Sequence, residues 1–131
     1  DIDADVTAES DEVLSTGKCD IVLKLKAPKG KKFSQGSPLR CEIEVSRRPD
    51  VLQMPAEHTQ KMEGGNEGAV HLPAEVGHVD EQLPSEVVLQ VSYVLCEEGD
   101  AAACVPGQLH ARLPVVLGPV GSSMQVFSTS L

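Results

Sequence analysis

A chain of 131 residues is long enough for one domain with its own core. With one Tyr, two Phe and no Trp, that core must be built from Val, Leu, Ile and Ala; nine prolines and eleven glycines favour strands and turns over long helices. A net charge of −9 excludes general nucleic-acid binding, which needs a dominant basic surface, and no stretch approaches the ~18 apolar residues of a membrane-crossing helix.

The charge is unevenly spread. Residues 1–17 hold six acids and no base, residues 18–48 nine bases and three acids, and residues 49–131 two bases and eleven acids. With neither an initiator Met nor an apolar leader, the chain is expected to be a piece of something larger. Residues 1–12, "DIDADVTAESDE", read as a solvated acidic linker or tail, which leaves residues 13–131 as a single domain.

"CDIVLKLKA" alternates, with Cys19, Ile21, Leu23 and Leu25 on one face and Asp20, Lys24 and Lys26 on the other. That period of two marks a half-buried strand. The turn-rich "PKGKKFSQGSP" follows, and "RCEIEVSRR" alternates again with Cys41, Ile43 and Val45 inward, so the simplest expectation is an antiparallel pair of neighbours. Residues 48–68 offer one short strand at most. "AVHLP" is another, and "AEVGHVDEQLPSE" reads as loop. "VVLQVSYVLC" is apolar on both faces, the mark of a central strand, and "QLHARLPVVL" is its expected antiparallel neighbour. The tail "GSSMQVFSTSL" reads as an edge strand or a frayed end.

Six to eight short strands, turn signals between them and no helical period predict an all-β chain. The expected architecture is an antiparallel β-sandwich, immunoglobulin-like. No repeat of 20–50 residues is present, which argues against a propeller or solenoid.

Cys96 and Cys104 bracket seven acidic and small residues at the ends of two strands expected to be neighbours. Three readings stay open: a structural staple, a redox-active pair and a metal site. The staple is the simplest, because a hairpin base brings two Cα atoms within disulfide reach. Glu97, Glu98 and Asp100 lie inside the loop, and like charge disfavours an attacking thiolate there. Their disulfide would still be open to attack by another protein's thiolate. The spacing fits no common zinc pattern, and no His is close in sequence. Cys19 and Cys41 fall on apolar strand faces and read as buried small hydrophobes.

Lys24, Lys26, Lys29, Lys31 and Lys32 form a basic cluster. It reads as a solvated edge that discourages strand pairing, as a docking patch for an acidic partner or anionic surface, or as a holder for the chain's own acidic tail. His58, His71, His78 and His110 are dispersed, and neither a nucleophile elbow nor a phosphate-binding glycine loop is present. An independent enzyme is therefore not expected, nor a metal or other cofactor.

The stretch "VSYVLCEEGDAAACVPGQLHARLPVVL" resembles the last, β-stranded domain of the suppressor-of-quenching and NHL repeat-containing proteins. "KCDIVLKLKAPKGKKFSQG" is similar to the first strand and loop of that module, so the resemblance runs from about Glu12 to Leu117. In that family a thioredoxin-like domain and an NHL propeller precede the module. The same hairpin is similar to the N-terminal periplasmic domain of the bacterial thiol-disulfide exchanger DsbD, an immunoglobulin-like sandwich whose hairpin carries a redox pair. By position the pair would be Cys96 and Cys104, with Tyr93 upstream, Pro106 downstream and Phe33 the one earlier aromatic. The resemblance implies a non-catalytic interaction or regulatory module, with thiol-disulfide exchange or a structural spacer as alternatives. Its partners would be the thioredoxin-like and NHL domains of the same chain and a plastid lipocalin or other lumenal protein. For a photosynthetic source it implies the chloroplast thylakoid lumen, a role in restraining photoprotective quenching, and membrane contact only through the full-length protein.

Overall fold

The computed structural model describes residues 5–131, apart from the side chains of residues 100–102. Among the described residues there is no helix. The strands are β1 (Thr7–Ala8), β2 (Leu14–Ser15), β3 (Gly17–Lys26), β4 (Lys31–Phe33), β5 (Pro38–Arg47), β6 (Leu52–Gln53), β7 (Glu57–Lys61), β8 (Glu67–Val76), β9 (Leu83–Glu97), β10 (Asp100–Gly118) and β11 (Met124–Ser130).

Two sheets form. One has the order β1-β11-β3-β8-β6; the other has the order β2-β10-β9-β5-β7, with β4 added to β9. The apolar halves of the alternating strands meet between them. Ile21, Leu23, Val70, Leu72 and Phe127 from the first sheet share one buried cluster with Leu39, Cys41, Leu89, Val91 and Leu113 from the second. Each sheet hides one face, which is what period-two alternation provides for. The expected neighbours β9 and β10 pair antiparallel over a long ladder, from Leu83 opposite Leu117 to Cys96 opposite Cys104. β9 is central, with β10 on one edge and β5 on the other.

Three expectations need correction. The stretches around Cys19 and Cys41 are not neighbours: β3 lies between β11 and β8, whereas β5 lies between β9 and β7. Alternation fixes which face of a strand is buried, not which strand lies beside it. The connection between them places β4 against β9 and so carries the chain from one sheet to the other. β3 and β5 belong to different sheets and contribute to one core instead of sharing a ladder. Second, the sheets are mixed rather than antiparallel. β11 runs parallel to β3, from Met124 opposite Asp20 to Ser130 opposite Lys26, and β2 runs parallel to β10. β11 enters its sheet from the end where β3 starts, as the Leu14–Ser122 bridge and the Asp20 N–H to Ser123 carbonyl bond (2.8 Å) show. Third, residues 48–68 supply two strands, β6 and β7, and the short strand at "AVHLP" grows to the ten residues of β8. Pro73 is tolerated inside β8 because only β3 pairs there; β6 joins further along, at Glu75 and Val76.

Of the acidic segment 1–12, residues 1–4 lie outside the described residues. Thr7–Ala8 pairs with Ser128 and Phe127, Glu9 Oε2 is 3.4 Å from Lys24 Nζ, and Gln125 Nε2 donates to the Ser10 carbonyl at 2.8 Å. Residues 7–10 thus lie along the sheet that carries Lys24.

Candidate functional site

The distal end of the β9–β10 hairpin carries the cysteine pair. Along β9 the buried side chains Ser85, Val87, Leu89 and Val91 alternate with half-buried ones, so Cys96 belongs to the face turned away from the core. Along β10 the core residues Leu109, Ala111, Leu113, Val115 and Leu117 place Cys104 on that same outer face. The two are direct register partners and are joined as a disulfide, with a Cα–Cα distance of 4.0 Å. Their environments differ. Cys96 is 4% exposed although it is not part of the hydrophobic core cluster, whereas Cys104 is exposed.

The other edge of β9 is closed at this end by β4. Lys32 is the register partner of Cys96, Lys31 that of Glu97, and Phe33 that of Leu95. Lys31 Nζ lies 3.3 Å from Glu97 Oε1, and the Glu98 N–H donates to the Gly30 carbonyl at 2.9 Å. The lysine-rich turn thereby clamps the acidic loop of the disulfide. This contact escaped the sequence reading, although opposite charge in "KGKK" and "CEEGD" was its visible signal. Glu97 of the loop is thus paired, and a second lysine, Lys32, is the register partner of Cys96.

The five lysines are divided between the two sheets and the turn that joins them. Lys24 and Lys26 sit on the outer face of the five-stranded sheet, Lys24 paired with Glu9. Lys29 is exposed in the turn, and Lys31 and Lys32 belong to the six-stranded sheet beside the disulfide.

Phe33 is 1% exposed and packs in the core, with its ring 6.3 Å from that of Tyr93 in an edge-to-face arrangement. It therefore lies on the opposite side of the sheet from the disulfide and does not cover it. Tyr93 closes the open end of the sandwich over Gly107, where a Cβ would come within 2.6 Å of the Tyr93 ring. Desolvation pushes the Tyr93 hydroxyl above its ordinary pKa. A groove of about 1200 Å³ opens at this end, lined among others by Lys26, Lys61, Met62, Tyr93 and Leu131.

Cys19 and Cys41 are free and buried. Burial pushes the Cys19 thiol up to about 11, helped by Asp20, and burial alone pushes Cys41 up to about 12. His71 and His110 lie in strands as expected, and His78 pairs with Asp80 at 3.0 Å. Among the described residues, no three His, Cys, Asp or Glu side chains converge in a way that could hold a metal ion. No protein-family model matches the chain, and comparison with curated proteins finds no match.

Proposed function

We propose that the chain is an immunoglobulin-like, non-catalytic interaction module whose contact surface is the clamped end of the β9–β10 hairpin. One observation carries this reading. The hairpin end is fixed from both sides, by the disulfide to β10 and by β4 with its lysine turn, and it still presents Cys104, Val105 (60% exposed) and Pro106 to solvent. A prefixed, partly apolar tip binds without the ordering cost of a loose loop. A disulfide in this role belongs in an oxidising compartment. With the resemblance of the hairpin added, the proposed setting is the thylakoid lumen. The proposed partners are the thioredoxin-like and NHL domains of a longer chain, with a plastid lipocalin downstream and restraint of photoprotective quenching as the outcome.

The test is calorimetric titration of this chain with a separately produced thioredoxin-like plus NHL fragment. Saturable binding weakened at least tenfold by Val105→Asp is expected. Absence of heat and of co-elution at 100 μM would overturn the reading.

A second reading, thiol-disulfide exchange, is favoured by the asymmetry of the pair, since one sulfur belongs to an exposed residue and the other to a buried one. A reduction potential below about −300 mV fits the staple, and one near −200 mV fits exchange.

A further inference from the structure

The row of the outer sheet face that holds the disulfide contains a third side chain with chemical consequence. Lys32 on β4 is the direct register partner of Cys96, which faces Cys104 on its other side. Directly opposed residues point to the same face with Cβ atoms about 5 Å apart, within easy reach of a lysine stem. Phe33, the next residue, is buried in the core, so Lys32 turns outward with Cys96. Its neighbour Lys31 is paired with Glu97; Lys32 makes no ion pair with a described residue.

We propose that Lys32 stabilises the Cys96 thiolate and so directs thiol-disulfide exchange to Cys104. The inference rests on the exchange reading of the same pair. A thiolate of a partner dithiol attacks Sγ of the exposed Cys104. The new bond joins the partner sulfur to Cys104, the Cys96–Cys104 bond breaks, and its electron pair leaves on Cys96 Sγ beside the Lys32 ammonium. The partner's second thiol, having lost its proton to solvent, attacks the mixed disulfide and releases Cys104, which takes up a proton. The partner dithiol is oxidised by two electrons and the cysteine pair is reduced by two.

Several other charged groups bear on Cys96. Glu97, the next residue along β9, points to the opposite sheet face and is neutralised by Lys31. Glu98 lies in the turn, and Asp100 is the register partner of Glu97. Arg40 is two rows away on the outer face and His110 three rows away. Burial of Cys96 opposes ionisation. Lys32 is the one cation in the cysteine's own row, and an opposite charge at that range lowers a thiol pKa by about one unit or more.

The experiment uses the Cys104→Ser chain, in which Cys96 is left as a thiol. Its alkylation by iodoacetamide is followed against pH, with Cys96 resolved from Cys19 and Cys41 by peptide mass spectrometry. Lys32→Met should raise the midpoint by about one pH unit, Lys32→Arg should restore it, and 1 M salt should shrink the difference. In the otherwise unaltered chain, reduction by dithiothreitol should slow roughly threefold in Lys32→Met and recover in Lys32→Arg, because a leaving thiol of higher pKa leaves more slowly. Equal midpoints, or equal reduction rates if the Cys104→Ser chain fails to fold, would overturn the role of Lys32. A disulfide in the unaltered folded chain that dithiothreitol does not reduce at all would overturn the exchange reading instead, whatever the Cys96 titration shows.

Discussion

Replacing Cys96 and Cys104 together by serine separates what the disulfide does for stability from what the rest of the hairpin does. The bond closes a short ring, the two cysteines being separated by 8 in sequence. The chain-entropy estimate for such a ring is about 2.6 kcal/mol at 25 °C. No large cavity term adds to it, because Cys96 lies outside the core cluster and Cys104 is exposed. The long ladder between Leu83–Leu117 and the Cys row remains, as do the Gly30–Glu98 bond and the Lys31–Glu97 pair. The variant should therefore fold to the same sandwich, lose about 2–3 kcal/mol in urea unfolding with an unchanged m-value, and melt about 9 °C lower. Hydrogen exchange should quicken at residues 94–106 and stay unchanged in β3 and β8. A loss below about 1 kcal/mol would show that β4 and the lysine turn hold the hairpin unaided. A loss above about 5 kcal/mol, or a fall in the m-value, would show that the sandwich itself depends on the bond.

Five further outcomes follow from the packing and the charges. Gly107→Val should cost about 1–3 kcal/mol in urea unfolding, because its Cβ lands on the Tyr93 ring, and Tyr93→Ala in the same chain should remove most of that cost. Phe33→Ala, which empties a buried ring site, should cost about 3–5 kcal/mol by the same measurement. The thiols of Cys19 and Cys41 are pushed up to about 11 and about 12, so native protein should resist alkylation at both at pH 8, and thiol counting before and after denaturation checks this. Because the unfolded thiols ionise near their ordinary 9.0, both cysteines contribute stability that is intact below pH 9 and is lost as pH rises towards 11–12, which unfolding midpoints across that range will show. Neutralising Lys24, Lys26 and Lys29 together should weaken any binding to an acidic partner and flatten its salt dependence; unchanged binding leaves these lysines as a solvated surface.

Faces were far more legible in the sequence than neighbours. Period two at Cys19–Leu25 and Cys41–Val45 marked core-facing side chains correctly, and the both-sided run at Val87–Cys96 marked a central strand, because burial acts residue by residue along a strand. Two elements were short enough to defeat pattern reading. β6 is two residues long, and β4, only three, decides which sheet the chain joins after β3. Parallel pairing of β11 with β3 also leaves no local mark, since it joins segments about a hundred residues apart and depends on which end of the sandwich each strand enters.

The site divides along the same line. That Cys96 and Cys104 meet follows from a hairpin, whose two strands are close in sequence. That Lys31 and Lys32 stand beside them does not, since residue pairs such as Lys31 and Glu97 are 66 positions apart. The basic cluster looked like one patch because its five lysines span only nine positions, from Lys24 to Lys32. The turn at Gly30, with φ of 80°, lets the chain leave β3 and put the last two of them into the other sheet. Lys24 is left facing the acidic segment at Glu9, and Lys31 facing the acidic loop at Glu97. Two acidic stretches far apart in sequence are thus served by one basic stretch that crosses between the sheets. The acids that argued against a thiolate at Cys96 when the loop was considered alone have basic neighbours in the folded chain: Glu97 is paired with Lys31, and Lys32 is the register partner of Cys96.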